Sequence, residues 1–196
     1  MSTSGLEDLY REIILDHYRN PRNRGSMDVP PSQRIEAYNP LCGDEVVVYL
    51  LENNGVLEDI KIEGQGCSIS QSSASLMSAA VKGKTTEEAR KIISDFKKLM
   101  SIHESRMEDT KDIDSGNANN SVDSDDTAAD GINENEIGSA DDAQMDVDLD
   151  AMGELAALQG VVRFPVRIKC AILAWNALAE GLDEIEVSAD HPGTSK

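Results

Sequence analysis

The sequence predicts an α+β fold: helices flank a three-stranded antiparallel meander, and a long acidic insertion interrupts the chain. Three observations predict it. Residues 5–19 and 68–100 carry apolar side chains at helical spacing. Residues 34–63, between them, hold β-branched runs separated by turn signals. Residues 101–150 have no periodicity at all and are rich in Asp, Asn and Ser.

The first helix is expected over 5–19. Ser4 and Glu7 have the spacing of a capping box, in which hydroxyl and carboxylate satisfy free N–H groups reciprocally. Leu6, Leu9, Tyr10, Ile13, Ile14 and Tyr18 recur on one face. Asn20-Pro21 ends it, because proline disfavours helix at the residue before it. The first strand is expected over Arg34 to Tyr38. Glu45 to Leu51 is a β-branched run and reads as the second. Asn53-Asn54-Gly55 is a turn signal, and Val56 to Glu63 is the return strand.

Helices resume after Gly64-Gln65-Gly66-Cys67. Residues 68–82 are small and apolar and close at Gly83, a C′ glycine. Thr85 and Glu88 repeat the capping-box spacing and open a helix to about Met100. Structure resumes over Asp150 to Gln159. The last helix begins near Pro165, a residue suited to a first helical position. Gly181 is expected to stop it after Glu180, with the chain frayed beyond Leu182. The organisation is therefore one domain made of residues 1–100 and 150–185, a disordered acidic insertion at 101–149, and a flexible tail at 186–196.

The charge is as uneven as the structure. The 196 residues carry 37 acidic and 18 basic side chains, a net charge of -19. Residues 101–150 hold 16 acidic residues against two basic ones, Arg106 and Lys111, and so account for -14 of it. With no aromatic residue and so much like charge, that segment cannot bury enough apolar area to offset its ordering entropy. A pI near 4.4 argues against nucleic-acid binding, which needs a basic patch on the phosphates. It argues equally against docking on an anionic membrane. No apolar run approaches the roughly 18 residues that span a bilayer. The first residues lack a basic n-region and an apolar h-region, so no secretory signal is read and a cytoplasmic location is expected. Three cysteines in such a chain point to thiol or metal chemistry before a disulfide framework.

Those cysteines occupy special positions. Cys42 lies in the tight loop Pro40-Leu41-Cys42-Gly43-Asp44. Cys67 stands at a helix N-terminus, where the dipole and free N–H groups favour a thiolate. Cys170 lies in the last helix after Arg167-Ile168-Lys169, whose cations also favour the thiolate and suggest a tuning role. One reading is three separate buried cysteines acting as small hydrophobes. The other is one metal site, with three thiolates and a carboxylate from Asp44 forming a tetrahedral set for zinc or one edge of an iron–sulfur cluster. Asp44 alone reads equally well as a turn residue. His17, His103 and His191 read as surface or packing residues. Spacing alone does not choose between these readings, since there is no CxxC pair.

Longer blocks add to it. Leu9-Tyr10-Arg11, Asp16-His17-Tyr18-Arg19-Asn20-Pro21-Arg22-Asn23, Asn39-Pro40-Leu41-Cys42-Gly43-Asp44, Glu63 to Ser70 and Phe164-Pro165-Val166-Arg167-Ile168-Lys169-Cys170 together resemble the NifU N-terminal/IscU family of iron–sulfur assembly proteins. Within it they resemble the SufU branch. Lys169 stands where IscU-type members carry histidine, and Phe164 to Arg167 replaces their chaperone-binding motif. The resemblance implies that Cys42, Asp44, Cys67 and Cys170 share one metal site, with Arg167 and Lys169 beside it. It implies helices packed on the three-stranded sheet. It implies a SufS-type cysteine desulfurase as partner, with a downstream SUF scaffold or apoproteins receiving the product. In the SufU branch the metal is zinc, and the thiol matching Cys42 accepts persulfide sulfur while zinc ligation rearranges on docking. In the IscU branch the same ligands build a [2Fe–2S] cluster. A zinc module with an acidic partner-binding arm is the remaining alternative. The 101–149 insertion is roughly 40 residues longer than such proteins usually carry there, and it interrupts none of the ligand blocks.

Overall fold

A computed structural model describes residues 3–101 and 152–190. The chain opens with α1 (Thr3–Arg19), continues through β1 (Gln33–Asn39), β2 (Asp44–Asn53) and β3 (Val56–Gln65), and then forms α2 (Ser68–Val81) and α3 (Thr86–Ser101). A 3-10 segment (Gly153–Arg163) and a long α4 (Pro165–Asp190) complete it. The strands form one antiparallel sheet in the order β1-β2-β3. The expected α+β architecture is therefore present, and each strand extends one to two residues past its sequence-based bounds.

Strand alternation decides what the sheet presents to the helices. In β2, Asp44, Val46, Val48 and Leu50 are buried at every second position. Their antiparallel partners Ile35 and Ile62 flank Val48, and Ile60 lies opposite Leu50. All three are buried. Asp44 thus ends a row of core-facing side chains, with Asn39 as its register partner on β1. The polar end of this apolar row carries Asp44, two residues after Cys42.

Two helices cover that face: α4 packs against β1 and β2, and α2 against β3. Between them Ser73 Oγ donates to the Ala171 carbonyl at 2.6 Å and accepts from Trp175 Nε1 at 3.0 Å. Phe96 of α3 stacks on Trp175 with ring centroids 4.1 Å apart. Such a stack adds about 0.5–1.5 kcal/mol to what its burial contributes. α1 and the 3-10 segment pack on each other and on α2. His17 of α1 holds the three together. Its Nδ1 lies 2.8 Å from Ser75 Oγ and its Nε2 lies 3.4 Å from Glu154. His17 is therefore a buried packing residue, as one of its two sequence readings had it.

Element boundaries confirm some of the local chemistry and correct the rest. The Thr85–Glu88 capping box is formed: Glu88 N–H donates to Thr85 Oγ1 at 3.1 Å, and Thr85 N–H donates to the Glu88 carboxylate at 2.9 Å. Gly83 follows α2 in a left-handed conformation, φ +76°. The Ser4–Glu7 box is not where it was expected, because α1 already begins at Thr3 and Ser4 lies inside it. Gly181 does not stop the last helix, which runs on to Asp190 and into the stretch read as a tail. Its glycine serves another purpose. A Cβ there would lie 2.6 Å from both Ile35 Cδ1 and Leu50 Cδ1, so glycine is what lets α4 rest on the sheet. The first residue of the insertion read as disordered, Ser101, ends α3; the rest of it, together with His103 and His191, lies outside the described residues. Among the described residues no helix is long and apolar enough to cross a membrane.

Candidate metal centre

The loop between β1 and β2 sets the first ligand. Asn39 Oδ1 accepts from the Leu41 N–H at 3.1 Å, and the Asn39 carbonyl accepts from the Gly43 N–H at 2.8 Å. Gly43 has φ +70°, which closes this turn at little cost for glycine. Cys42 is left exposed at the tip, and Asp44 enters β2 buried.

Asp44 then organises the second segment. Its Oδ1 accepts from the Cys67 N–H at 3.0 Å, and its Oδ2 lies 3.8 Å from Cys67 Sγ. Gly66 permits this approach, since a Cβ there would stand 2.7 Å from Asp44 Oδ1. Cys67 is the N-cap of α2, and its Sγ accepts from the Ser70 N–H at 3.4 Å. Cys170 comes from the second turn of α4. It is buried, with its Sγ 3.2 Å from Cys42 Sγ. Asn39 Nδ2 points at the same Cys170 sulfur from 4.0 Å.

The ligand atoms of Cys42, Asp44 and Cys170 all lie within 4.8 Å of one another. Among the described residues this is the one such group of three, and no histidine joins it. Cys67 is attached through Asp44 and stands just outside the trio, its sulfur held as the helix cap. The donor chemistry fits a thiophilic cation. Sulfurs on a single tetrahedral zinc at about 2.3 Å would be about 3.8 Å apart, so the Cys42 and Cys170 sulfurs, 3.2 Å apart, would separate slightly to share one ion. The electrostatics agree. Burial pushes the Cys170 thiol well above the usual range, and Asp44, Cys42 and Cys67 push in the same direction. A bare thiolate is disfavoured there, and a bound cation reverses that balance.

Arg167 and Lys169 are exposed, and the upward Cys170 shift is set chiefly by burial, with Asp44, Cys42 and Cys67 adding to it. Three contributors had no sequence signal strong enough to single them out: Asn39, Gly66 and Ser70. All three sit inside the family-like blocks, and only the turn, the close contact and the hydrogen bond to Cys67 reveal their roles.

Exposed apolar side chains stand beside the cysteines in both segments. Leu41 is 68% exposed and Phe164 is 62% exposed, and Val166, whose carbonyl lies 3.9 Å from Cys170 Sγ, is exposed as well. Exposed apolar groups gathered about a reactive side chain mark a contact surface.

Residues 9–122 match the family model of the NifU-like N terminal domain. The chain is 34% identical over 183 residues to the zinc-dependent sulfurtransferase SufU of Bacillus subtilis, covering 93% of this chain and 95% of that one. It is 30% identical over 182 residues to the iron–sulfur cluster assembly scaffold protein IscU of Streptococcus pyogenes, covering 93% and 87%. The fold superposes with a TM-score of 0.62 on a candidate iron–sulfur cluster assembly scaffold of the SUF system from Fervidobacterium islandicum. That pair is 24% identical, with 87% of this chain and 94% of that one covered.

Proposed function

The chain belongs to the NifU-like N-terminal domain family, and on that premise we propose that it serves iron–sulfur cluster assembly as a zinc-bound sulfur acceptor. Cys42, Asp44, Cys67 and Cys170 are the ligands of this reading, and a SufS-type cysteine desulfurase is the donor. Its product passes to a SUF scaffold or to apoproteins. The observation that carries it is the convergence of two thiols and a carboxylate from distant segments, with one of those thiols exposed. Zinc, when bound, holds such thiols deprotonated near neutral pH and shields them from oxidation.

The chain's own residues divide the remaining work. Cys42 is the exposed cysteine of the three, so it is the one a partner's persulfide can reach. Its thiolate attacks the outer sulfur of the desulfurase persulfide. A new sulfur–sulfur bond forms on Cys42 as the donor's breaks, and the desulfurase cysteine leaves as a thiolate, so electrons balance without an external oxidant. Asp44 holds the Cys67 backbone in place, and Asn39 keeps the Cys42 turn closed. Leu41, Phe164 and Val166 form the apolar surface on which the donor docks and from which water is displaced.

Cys42→Ala is expected to abolish persulfide acceptance and stimulation of desulfurase turnover, measured as alanine release with a thiol reductant present. Full stimulation by that variant would end this reading. The 30% identity to an IscU scaffold favours a second reading, assembly and transfer of a [2Fe–2S] cluster on the same residues. Metal and sulfide analysis of the isolated protein separates them. Colourless protein with one zinc supports the first. Iron with equimolar sulfide and a transferable chromophore supports the second.

A further inference from the structure

The Ser70 hydroxyl is buried and has no hydrogen-bond partner among the described residues. Such groups are rare because their lost hydration goes uncompensated. The other buried oxygen without a partner, Gln33 Oε1, lies at the far end of β1, opposite Leu50, away from Asp44. Ser70 lies beside the metal centre. Its backbone N–H already donates to Cys67 Sγ at 3.4 Å. One turn along the same face of α2, Ser73 hydrogen-bonds Ala171, the residue after Cys170. Ser70 thus lies beside Cys67, one helical turn before the residue that joins α2 to α4 next to Cys170.

We propose that Ser70 is a positioning residue of this centre, its hydroxyl donating a hydrogen bond to the Cys67 sulfur when that sulfur is a metal-bound thiolate. A thiol is a weak acceptor, so the hydroxyl has little to gain from it. A thiolate is a strong one. The Ser70 oxygen hangs three bonds from the nitrogen that meets this sulfur, so a change of χ1 rotamer brings it to the same acceptor. N–H and O–H of one residue then fix the ligand's direction, as outer hydrogen bonds do at metal centres generally.

The inference rests on the metal site proposed above, and its test separates the two. Zinc affinity of the full chain is measured anaerobically against a chromophoric chelator, and thermal melts are recorded with and without zinc. Ser70→Ala is expected to weaken zinc binding about ten-fold. Without zinc it is expected to melt at or above wild type, because it removes an unmet buried hydroxyl and favours helix. That opposition of signs is not what a merely structural serine gives. Ser72→Ala, which removes a buried hydroxyl bonded within α2 to Ile69, is expected to leave zinc affinity unchanged. Unchanged affinity in Ser70→Ala, or a metal-free variant that melts below wild type or fails to fold, overturns the proposal. Wild type that takes up no stoichiometric zinc overturns the metal site itself.

Discussion

Gly66 shows how much a single residue can decide here. A Cβ at this position would lie 2.7 Å from Asp44 Oδ1 and 2.9 Å from its Cγ. Both atoms belong to a carboxylate buried at the end of β2 and bonded to the Cys67 N–H. Gly66→Ala is therefore expected to push the carboxylate off its place while leaving the core untouched. Zinc affinity should fall at least about ten-fold, with far-UV circular dichroism unchanged, and chelator competition reads the first while the spectrum checks the second. Cys42, Asp44 and Cys67 were legible as candidates because each stood in a block of loop or cap residues, and Cys170 because it followed Arg167-Ile168-Lys169. Gly66 and Ser70 were not. A glycine before a helix and a serine within one are ordinary in sequence, and only the distance to a neighbour gives them a role.

At the scale of elements, the sequence carried most of the architecture. The β-branched run over Glu45 to Leu51 and the Asn53-Asn54-Gly55 turn located the hairpin, and the Thr85–Glu88 box located the start of α3. The end of α4 failed for a physical reason. Glycine weakens a helix, so a lone Gly181 reads as a stop. Yet the same missing Cβ is what allows close packing, and no local pattern says which property is in use. Ile35 and Leu50, far away in sequence, decide it. Gly181→Val is expected to overpack this contact and cost about 1–3 kcal/mol, measured by denaturant unfolding. The loss should appear equally in metal-free and metal-bound protein, since the contact lies among apolar side chains of the core.

Across the whole molecule, α1, α2 and the 3-10 segment meet at one buried imidazole. Burial lowers the His17 pKa below its ordinary 6.5, and Arg22 lowers it further, against the opposing pull of Glu154 and Asp16. The native state thus favours the neutral ring, and the unfolded chain binds the extra proton. Its contribution to stability is present above about pH 6.5 and is lost as pH falls through the lowered native value. Thermal melts between about pH 7 and 5 should decline less steeply in His17→Gln than in wild type, with the variant already lower at pH 7. Periodicity marked His17 as a helix residue but could not reveal this junction, because its partners Ser75 and Glu154 lie 58 and 137 positions away. The same long separation governs the metal centre, where Cys170 meets Cys42 across 128 positions. During synthesis the hairpin and α2 leave the ribosome well before α4 exists. At roughly 5–20 residues per second, Cys42 and Cys67 wait several seconds or more for their third sulfur. For that interval the chain presents two unsupported thiols, and the centre is finished by the last helix to be made.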